Sequence, residues 1–146
     1  AEVTAESERT EYVYDELNRL LSENFTGNAG TEVSLTYDSG ANAKGRLSSA
    51  VTLGSATKSY TYDILGRTTS ETKTIEGIPY QTSYTFDFLG NALSITYPDG
   101  LVVNSTYNNA GMLSTVTKTE GGAPQNIVTN LDFAPIGLLA RIDYSN

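Results

Sequence analysis

Residues 59–68 read Ser-Tyr-Thr-Tyr-Asp-Ile-Leu-Gly-Arg-Thr, which predicts a β-strand, a tight turn and the start of a returning strand. Self-similarity with a period of about 20–50 residues is typical of repeat architectures. The sequence therefore predicts a single array over residues 1–146: an all-β fold of tandem β-hairpins, about six of them, in an antiparallel sheet. The aromatic residue of this stretch, Tyr62, has counterparts roughly 21 to 26 residues apart at Tyr14, Tyr37, Phe86, Tyr107 and Phe133.

Two positions of the predicted turn have a defined chemistry. An aspartate at the first position can accept hydrogen bonds from backbone amides two or three residues further on, which closes the turn locally. The last position needs a residue that adopts positive φ, which glycine does without steric cost and asparagine does nearly as well. The aspartates are Asp15, Asp38, Asp63 and Asp87, and the positive-φ residues are Asn18, Gly45, Gly66, Gly90, Gly111 and Gly137.

An arginine follows the turn in the first three units, at Arg19, Arg46 and Arg67. We expect each arginine to pair with an aspartate of a neighbouring unit, as a surface ion pair that contributes about 0–1 kcal/mol. A pair of carboxylates can also perform acid–base catalysis. Turn closure explains why the aspartate recurs once in every unit, and catalysis does not, so no catalytic residue is predicted.

The alternation of residue types along the strands predicts two different sheet faces. Tyr60 and Tyr62 lie two residues apart, as do Tyr84 and Phe86, so each pair shares a face. The residues between them are Thr and Ser, which predicts a hydroxyl-rich opposite face. The aromatic stripe is interpreted as structural, with sugar stacking as the alternative. Leucines of the returning strands are expected to fill the space between the aromatic rings: Leu20, Leu47 and Leu93.

Residues 39–44 lengthen the turn of the second unit by about four residues relative to the others. Insertions in repeat proteins often lie on a binding face. A surface loop also accepts extra residues at small entropic cost, and this simpler interpretation is preferred.

Composition and charge exclude several classes of function. The net charge of −8 argues against nucleic acid, because phosphate binding requires clustered Lys and Arg. The chain has no His and no Cys, so it lacks the usual metal ligands and the commonest general base. No apolar run approaches the roughly 18 residues of a membrane span. We therefore predict a protein that is not an enzyme and has no metal, cofactor or membrane span.

The stretch from Tyr62 to Arg67, Tyr-Asp-x-x-Gly-Arg, resembles the YD repeat of the Rhs (rearrangement hotspot) proteins. Relatives in that family include Rhs toxins, wall-associated proteins, insecticidal toxin-complex shells and teneurins. The resemblance implies a long β-ribbon that spirals into a hollow, solenoid-like shell. Large members can carry a self-cleaving Asp-Pro-x-Gly-Leu motif near the end of the shell. The similar run that begins at Ala134 has alanine in place of the aspartate, so no cleavage is expected.

These observations predict a structural repeat module of an exported or cell-surface protein. A stack of hairpins leaves an unpaired strand edge at each end, and such edges pair readily with another chain. We expect a segment of a β-shell that packs on neighbouring repeats, or end-to-end self-association into an extracellular fibre. The alternative is an adhesin-like module that binds a glycan or a protein. The start at Ala1, with Met112 as the only methionine, is interpreted as a matured or excised piece of an exported protein.

Overall fold

The computed structural model describes residues 9–25 and 31–145, and these residues form twelve β-strands and no helix. The loop predicted at residues 27–30 and most of the polar segment before Thr10 lie outside the described residues. The strands are β1 (Thr10–Tyr14), β2 (Leu20–Phe25), β3 (Val33–Tyr37), β4 (Leu47–Thr52), β5 (Ala56–Tyr62), β6 (Thr68–Ile75), β7 (Ile78–Phe86), β8 (Ala92–Thr96), β9 (Val102–Tyr107), β10 (Leu113–Thr119), β11 (Gln125–Phe133) and β12 (Leu139–Tyr144).

The chain divides into two compact units, residues 1–80 and residues 81–146. In the first unit, strands β1 to β6 pair in sequence order, and every pair is antiparallel. In the second unit, the part of β7 from residue 81 onward and strands β8 to β12 follow the same rule. The all-β array of tandem hairpins predicted from the sequence is therefore confirmed.

Every hairpin carries the same β-bulge next to its aromatic residue. In the third hairpin, Thr61 faces Ser70 while Tyr62 faces Thr68, so Thr69 is an extra residue without a partner. Bulges of this kind bend the strand and increase its local twist. The sequence did not predict them. The extra residue always lies three positions after the positive-φ residue, and its counterparts are Leu21, Ser48, Leu93, Ser114 and Ala140.

The bulge corrects one prediction about packing. Leu20 faces Tyr14 and Leu47 faces Tyr37 across the hairpin, as expected for leucines on the aromatic face. Leu93 is the extra residue of its bulge, and Ala92 takes the place opposite the aromatic ring of Phe86. The strict alternation assumed from the sequence fails here because a bulge adds one residue to one strand only.

Neither unit has a conventional core. Among the described residues, Ala43 is the only buried hydrophobic residue, and Ser48 and Ser70 are the buried polar ones. The ring of Tyr62 is half-buried, and its face of the sheet is not covered by a helix or by a second sheet of described residues. Because a sheet ordinarily buries one face against another layer, the contacts between adjacent hairpins carry much of the burial in each unit.

Candidate functional site

The candidate site is the set of turns that joins each odd-numbered strand to the next, together with the contacts between adjacent turns. In the third hairpin, the amide of Asp63 donates to the carbonyl of Arg67 at 3.0 Å, and the amide of Gly66 donates to the carbonyl of Asp63 at 2.9 Å. This is a type I turn followed by a left-handed residue, a common hairpin connection. The same two bonds recur in the turns that begin at Asp15, Asp87, Asn108 and Ala134.

The aspartate side chain closes the turn by a pattern that differs slightly from the prediction. Oδ1 of Asp63 accepts the amides of Leu65 and Arg67, each at 2.9 Å, and therefore reaches two and four residues onward. The amide three residues onward, that of Gly66, donates to the Asp63 carbonyl instead. Oδ2 of Asp63 accepts Nε of Arg67 at 2.6 Å, a bond within the turn that the sequence analysis did not predict.

These contacts hold the turn carboxyls in their ionised form. For Asp15, the backbone amide of Arg19 is the largest of the contributions that lower its pKa below the ordinary value. For Asp38, the hydrogen bond from the Arg19 guanidinium has the largest lowering effect on its pKa. For Asp63, desolvation raises the pKa, but the hydrogen bonds donated by Arg67 and the turn amides outweigh it, so its pKa is also lowered.

Arg19 connects the first hairpin to the second. Its Nε donates to Oδ2 of Asp15 at 2.7 Å, and its Nη2 donates to Oδ2 of Asp38 at 2.7 Å. Its guanidinium carbon also lies 4.4 Å from the ring centroid of Tyr37, within the range of a cation–π contact. The expected pairing of Arg19 with an aspartate of a neighbouring unit is present in this geometry, together with a second pairing inside its own turn.

Arg46 connects the second hairpin to the third by a different contact. Its Nε donates to the carbonyl of Gly66 at 3.1 Å, and its guanidinium carbon lies 5.7 Å from the ring centroid of Tyr62. A Cβ atom built on Gly66 would lie only 1.8 Å from Nη2 of Arg46, so glycine is required here for close approach as well as for its φ of +79°. Arg46 therefore contacts the neighbouring turn, with a carbonyl as the acceptor where a carboxylate was expected.

The inserted loop of residues 39–44 takes part in this second contact. The side-chain amide of Asn42 donates to the carbonyl of Tyr62 at 3.1 Å, and Nη1 of Arg46 donates to the carbonyl of Lys44 at 3.1 Å. Ala43 lies buried in the same loop. The amide of Gly45 donates to the carboxylate of Asp38, so this aspartate closes a longer turn. The loop of residues 39–44 thus contacts the third hairpin through Asn42, a contact that the sequence did not predict, while the loop residues other than Ala43 stay exposed.

Tyrosine hydroxyl groups form a further contact between adjacent hairpins. The hydroxyl of Tyr62 donates to the carbonyl of Leu47 at 2.6 Å. In the second unit, the hydroxyl of Tyr107 donates to the carbonyl of Ala92 at 2.9 Å. Both acceptors lie two residues after the positive-φ residue of the preceding hairpin, at Gly45 and Gly90 respectively. Tyr62 and Tyr107 therefore each bond to the backbone of the hairpin before them.

The turns of the second unit change chemistry step by step. In the fourth hairpin, Asn91 replaces the arginine, and its Nδ2 donates to Oδ2 of Asp87 at 2.8 Å. This side-chain bond makes the largest contribution to the lowered pKa of Asp87. In the fifth, Asn108 replaces the aspartate, and its Oδ1 accepts the amide of Met112 at 3.0 Å. In the sixth, Ala134 has no side-chain acceptor, and Phe133 faces Leu139.

The hydroxyl-rich face predicted from the sequence forms pairs across the strands. Oγ1 of Thr61 lies 2.7 Å from Oγ of Ser70, and Thr85 lies 2.6 Å from Ser94 in the same way. Cross-strand hydroxyl pairs stabilise a sheet by a few tenths of a kcal/mol up to about 1 kcal/mol each. This face therefore contributes to pairing within each hairpin.

Four of the turns carry exposed apolar residues at their central positions, which the sequence did not lead us to expect: Leu17, Ile64, Leu65, Phe88, Leu89 and Ile136. Ile64 is 88% exposed and Phe88 is 99% exposed. The available signal was the apolar residue between the aspartate and the glycine.

No group of three His, Cys, Asp or Glu able to hold a metal ion occurs in residues 9–25 and 31–145. Those same residues contain no helix that is long and apolar enough to span a membrane.

The geometry defines a class of protein: a tandem array of hairpins with locally hydrogen-bonded turns. Arg19 and Arg46 join the first three hairpins to one another, and the Tyr107 hydroxyl joins the fifth to the fourth. Chains in solved toxin-complex structures have the same fold. They include TcdB2-TccC3 at a TM-score of 0.82, TcdB2-TccC3-Cdc42 at 0.79 and a Photorhabdus luminescens Tc holotoxin pore with the mutation TccC3-D651A at 0.78. Each has 18% sequence identity and covers 92% of this chain, which corresponds to 8% of theirs.

The RHS Repeat family model matches residues 86–123, from Phe86 at the end of β7 to the loop after β10. The chain therefore contains an RHS repeat, and the resemblance recognised in the sequence is confirmed. A comparison with curated proteins gives no match.

Proposed function

We propose that this chain is a non-catalytic structural module of an exported or cell-surface protein. It forms a segment of a β-shell by packing against neighbouring repeats of a longer chain, or it stacks end to end with further copies into a fibre. Residues 1–146 act as one array of six repeats in this proposal. The observation that carries it is the contact repeated between adjacent turns, in which Arg19 and Arg46 of one hairpin bond to the next.

The physical support is that the polar side chains of the turns are already hydrogen-bonded within the array. The turn aspartates, the residues expected of a carboxylate enzyme, are occupied by their own turn amides and by guanidinium or amide donors. Among the described residues, β1 pairs only with β2 and β12 only with β11, so each has one edge that no described strand occupies. Unpaired edges are the usual route by which sheets extend.

Light scattering and electron microscopy of the purified chain test the proposal. The expected result is a particle mass that rises with concentration, with filaments or curved sheet assemblies in the images. A species that stays monomeric at millimolar concentration, with fast amide exchange in β1 and β12, would contradict end-to-end stacking of this chain.

A binding module for a glycan or a protein is the second candidate, and one observation favours it. A shallow groove lies between Leu17 and the inserted loop, and its lining includes Gly40, Asn42 and Lys44. The test is a glycan array with the wild-type chain and Lys44→Ala, whose backbone bonds are retained. Binding that the substitution removes supports this candidate, and an array without binding rejects its glycan form.

A further inference from the structure

We propose that the free edge of β1 is an arginine-accepting edge. The last strand of a preceding hairpin pairs with β1 in antiparallel orientation. The turn of that hairpin has an arginine directly after its positive-φ residue. The proposal rests on the proposed function, since it requires that hairpins add to the edge, and it specifies the chemistry of the hairpin that fits.

The two arginine contacts inside the first unit are the template. At the first junction, the Arg19 guanidinium lies 4.4 Å from the Tyr37 ring centroid and donates to Asp38 at 2.7 Å. At the second, Arg46 lies 5.7 Å from the Tyr62 ring centroid and donates to a backbone carbonyl of the next turn. In both cases the arginine follows the turn of one hairpin and lies over the tyrosine of the next.

The first hairpin presents the same two groups, and no described strand pairs with β1 on the side away from β2. Tyr14 and Asp15 occupy the positions of Tyr37 and Asp38 in the repeat. Tyr14 is 55% exposed, whereas Tyr37 and Tyr62 are half-buried, and every residue of β1 is exposed. Residues 1–8 contain no lysine or arginine, so that segment offers no side-chain cation to cover the ring.

The backbone of the first turn selects between the two observed arrangements. The Arg46 arrangement needs the space that a Cβ on Gly66 would fill. The first hairpin has Asn18 at this position, with a φ of 57°, and its Cβ therefore excludes an arginine placed as Arg46 is. The Arg19 arrangement leaves the corresponding space at Gly45 open. An incoming arginine therefore lies over Tyr14 and donates to Asp15.

Asp15, Arg19 and Asp38 form a row of charges, and this row favours the same occupant. Arg19 lies between the carboxylates of Asp15 and Asp38, so two anions share one cation. A guanidinium beyond Asp15 continues the alternation of charge and makes the row neutral. Charge-assisted bonds from arginine to carboxylate are among the stronger hydrogen bonds of proteins.

A second copy of this chain fits the edge less well. The last strand, β12, follows a turn in which Leu138 occupies the arginine position. End-to-end stacking of two copies would therefore place an aliphatic side chain beside Asp15, where the internal junction has a guanidinium. The occupant to which we commit is a preceding repeat that carries Gly-Arg after its turn.

The test joins a copied hairpin to the full chain. Residues 56–75, which include Gly66 and Arg67, are duplicated and fused before Ala1, so the chain's own first nine residues act as linker. A matched fusion carries Arg67→Met in the duplicated copy only, because Met112 occupies this position in the fifth hairpin. Amide hydrogen exchange of β1 is measured in both fusions, with and without Asp15→Asn, and compared with the unextended chain.

We expect the arginine fusion to protect the β1 amides roughly two- to fivefold more than the methionine fusion, the effect of an exposed cation–π contact. Asp15→Asn should reduce that difference. Equal protection by both fusions overturns the arginine preference and leaves the proposed function intact. No protection by either fusion overturns edge addition and the proposed function with it. Protection of the β1 amides in the unextended chain that rises with concentration and reaches that of the arginine fusion identifies a second copy as the preferred occupant and overturns the inference.

Discussion

Substitution of Gly66 by alanine tests how strongly adjacent hairpins depend on each other. The residue has a φ of +79°, which costs an alanine about 1 kcal/mol relative to glycine. The new Cβ would also lie 1.8 Å from Nη2 of Arg46, so the arginine must leave its place. That movement breaks its bond to the Gly66 carbonyl and its contact with the Tyr62 ring, which are worth about 1 kcal/mol and about 0.5 kcal/mol at a half-exposed site.

The expected total is a loss of about 2–3 kcal/mol in the free energy of unfolding, measured by urea denaturation followed by circular dichroism. Gly111→Ala is the matched control, since Gly111 has a similar φ of +74° in the same type of turn and open space around its Cβ position. It should cost only the conformational part, about 1 kcal/mol.

A double-mutant cycle with Arg46→Ala separates the two causes. In the Arg46→Ala background, Gly66→Ala should cost no more than the control substitution, because no guanidinium remains to be displaced. An equal cost of Gly66→Ala in both backgrounds would refute the packing argument, since the whole effect would then belong to the backbone of the turn.

Three further predictions follow from the same contacts. Tyr62→Phe removes the hydrogen bond to the Leu47 carbonyl and should lower the free energy of unfolding in denaturant by about 1 kcal/mol. Tyr60→Phe is the control and should cost less, because the Tyr60 hydroxyl forms no hydrogen bond among the described residues. Equal costs would contradict the role given to the Tyr62 hydroxyl. Ile64→Ser, at the exposed turn, should change the unfolding free energy by less than about 0.5 kcal/mol, and a larger loss would mean that the side chain is covered. Acid should destabilise the chain: a folded-state pKa below the ordinary 3.8 means that the unfolded state binds more protons, so stability present above about pH 4 is lost as pH falls. A denaturation midpoint that stays constant from pH 6 to pH 2 would contradict this role for Asp15, Asp38, Asp63 and Asp87.

The hairpins were predictable because the residues within each turn specify its conformation. An aspartate, two free positions and a glycine specify a type I turn with a left-handed residue wherever they occur. The strand pairing then follows from short connections alone. The alternation around Tyr60 and Tyr62 correctly predicted a hydroxyl-rich opposite face, as the contact between Thr61 and Ser70 illustrates.

What the sequence did not predict depends on geometry between elements. The bulge at Thr69 has no distinctive residue type, and Leu21, Leu93 and Ala140 occupy the same position in other hairpins. The acceptor of Arg46 could not be chosen in advance, because it depends on how closely the guanidinium approaches the backbone of Gly66. Sequence spacing identifies which residues recur in each hairpin. The distance between adjacent hairpins decides which of these residues form hydrogen bonds.

The turn position that holds Arg19, Arg46 and Arg67 in the first three hairpins holds Asn91, Met112 and Leu138 in the last three, and this change has a consequence for folding. Tandem copies of one motif are prone to associate with the wrong neighbour, because every copy offers the same surface. Here the junctions differ in polarity, so a hairpin that skipped its proper partner would leave Asp38 without its guanidinium. The turns of the first three hairpins therefore differ chemically from those of the last three, and this difference disfavours pairing between an arginine hairpin and a hairpin that lacks it.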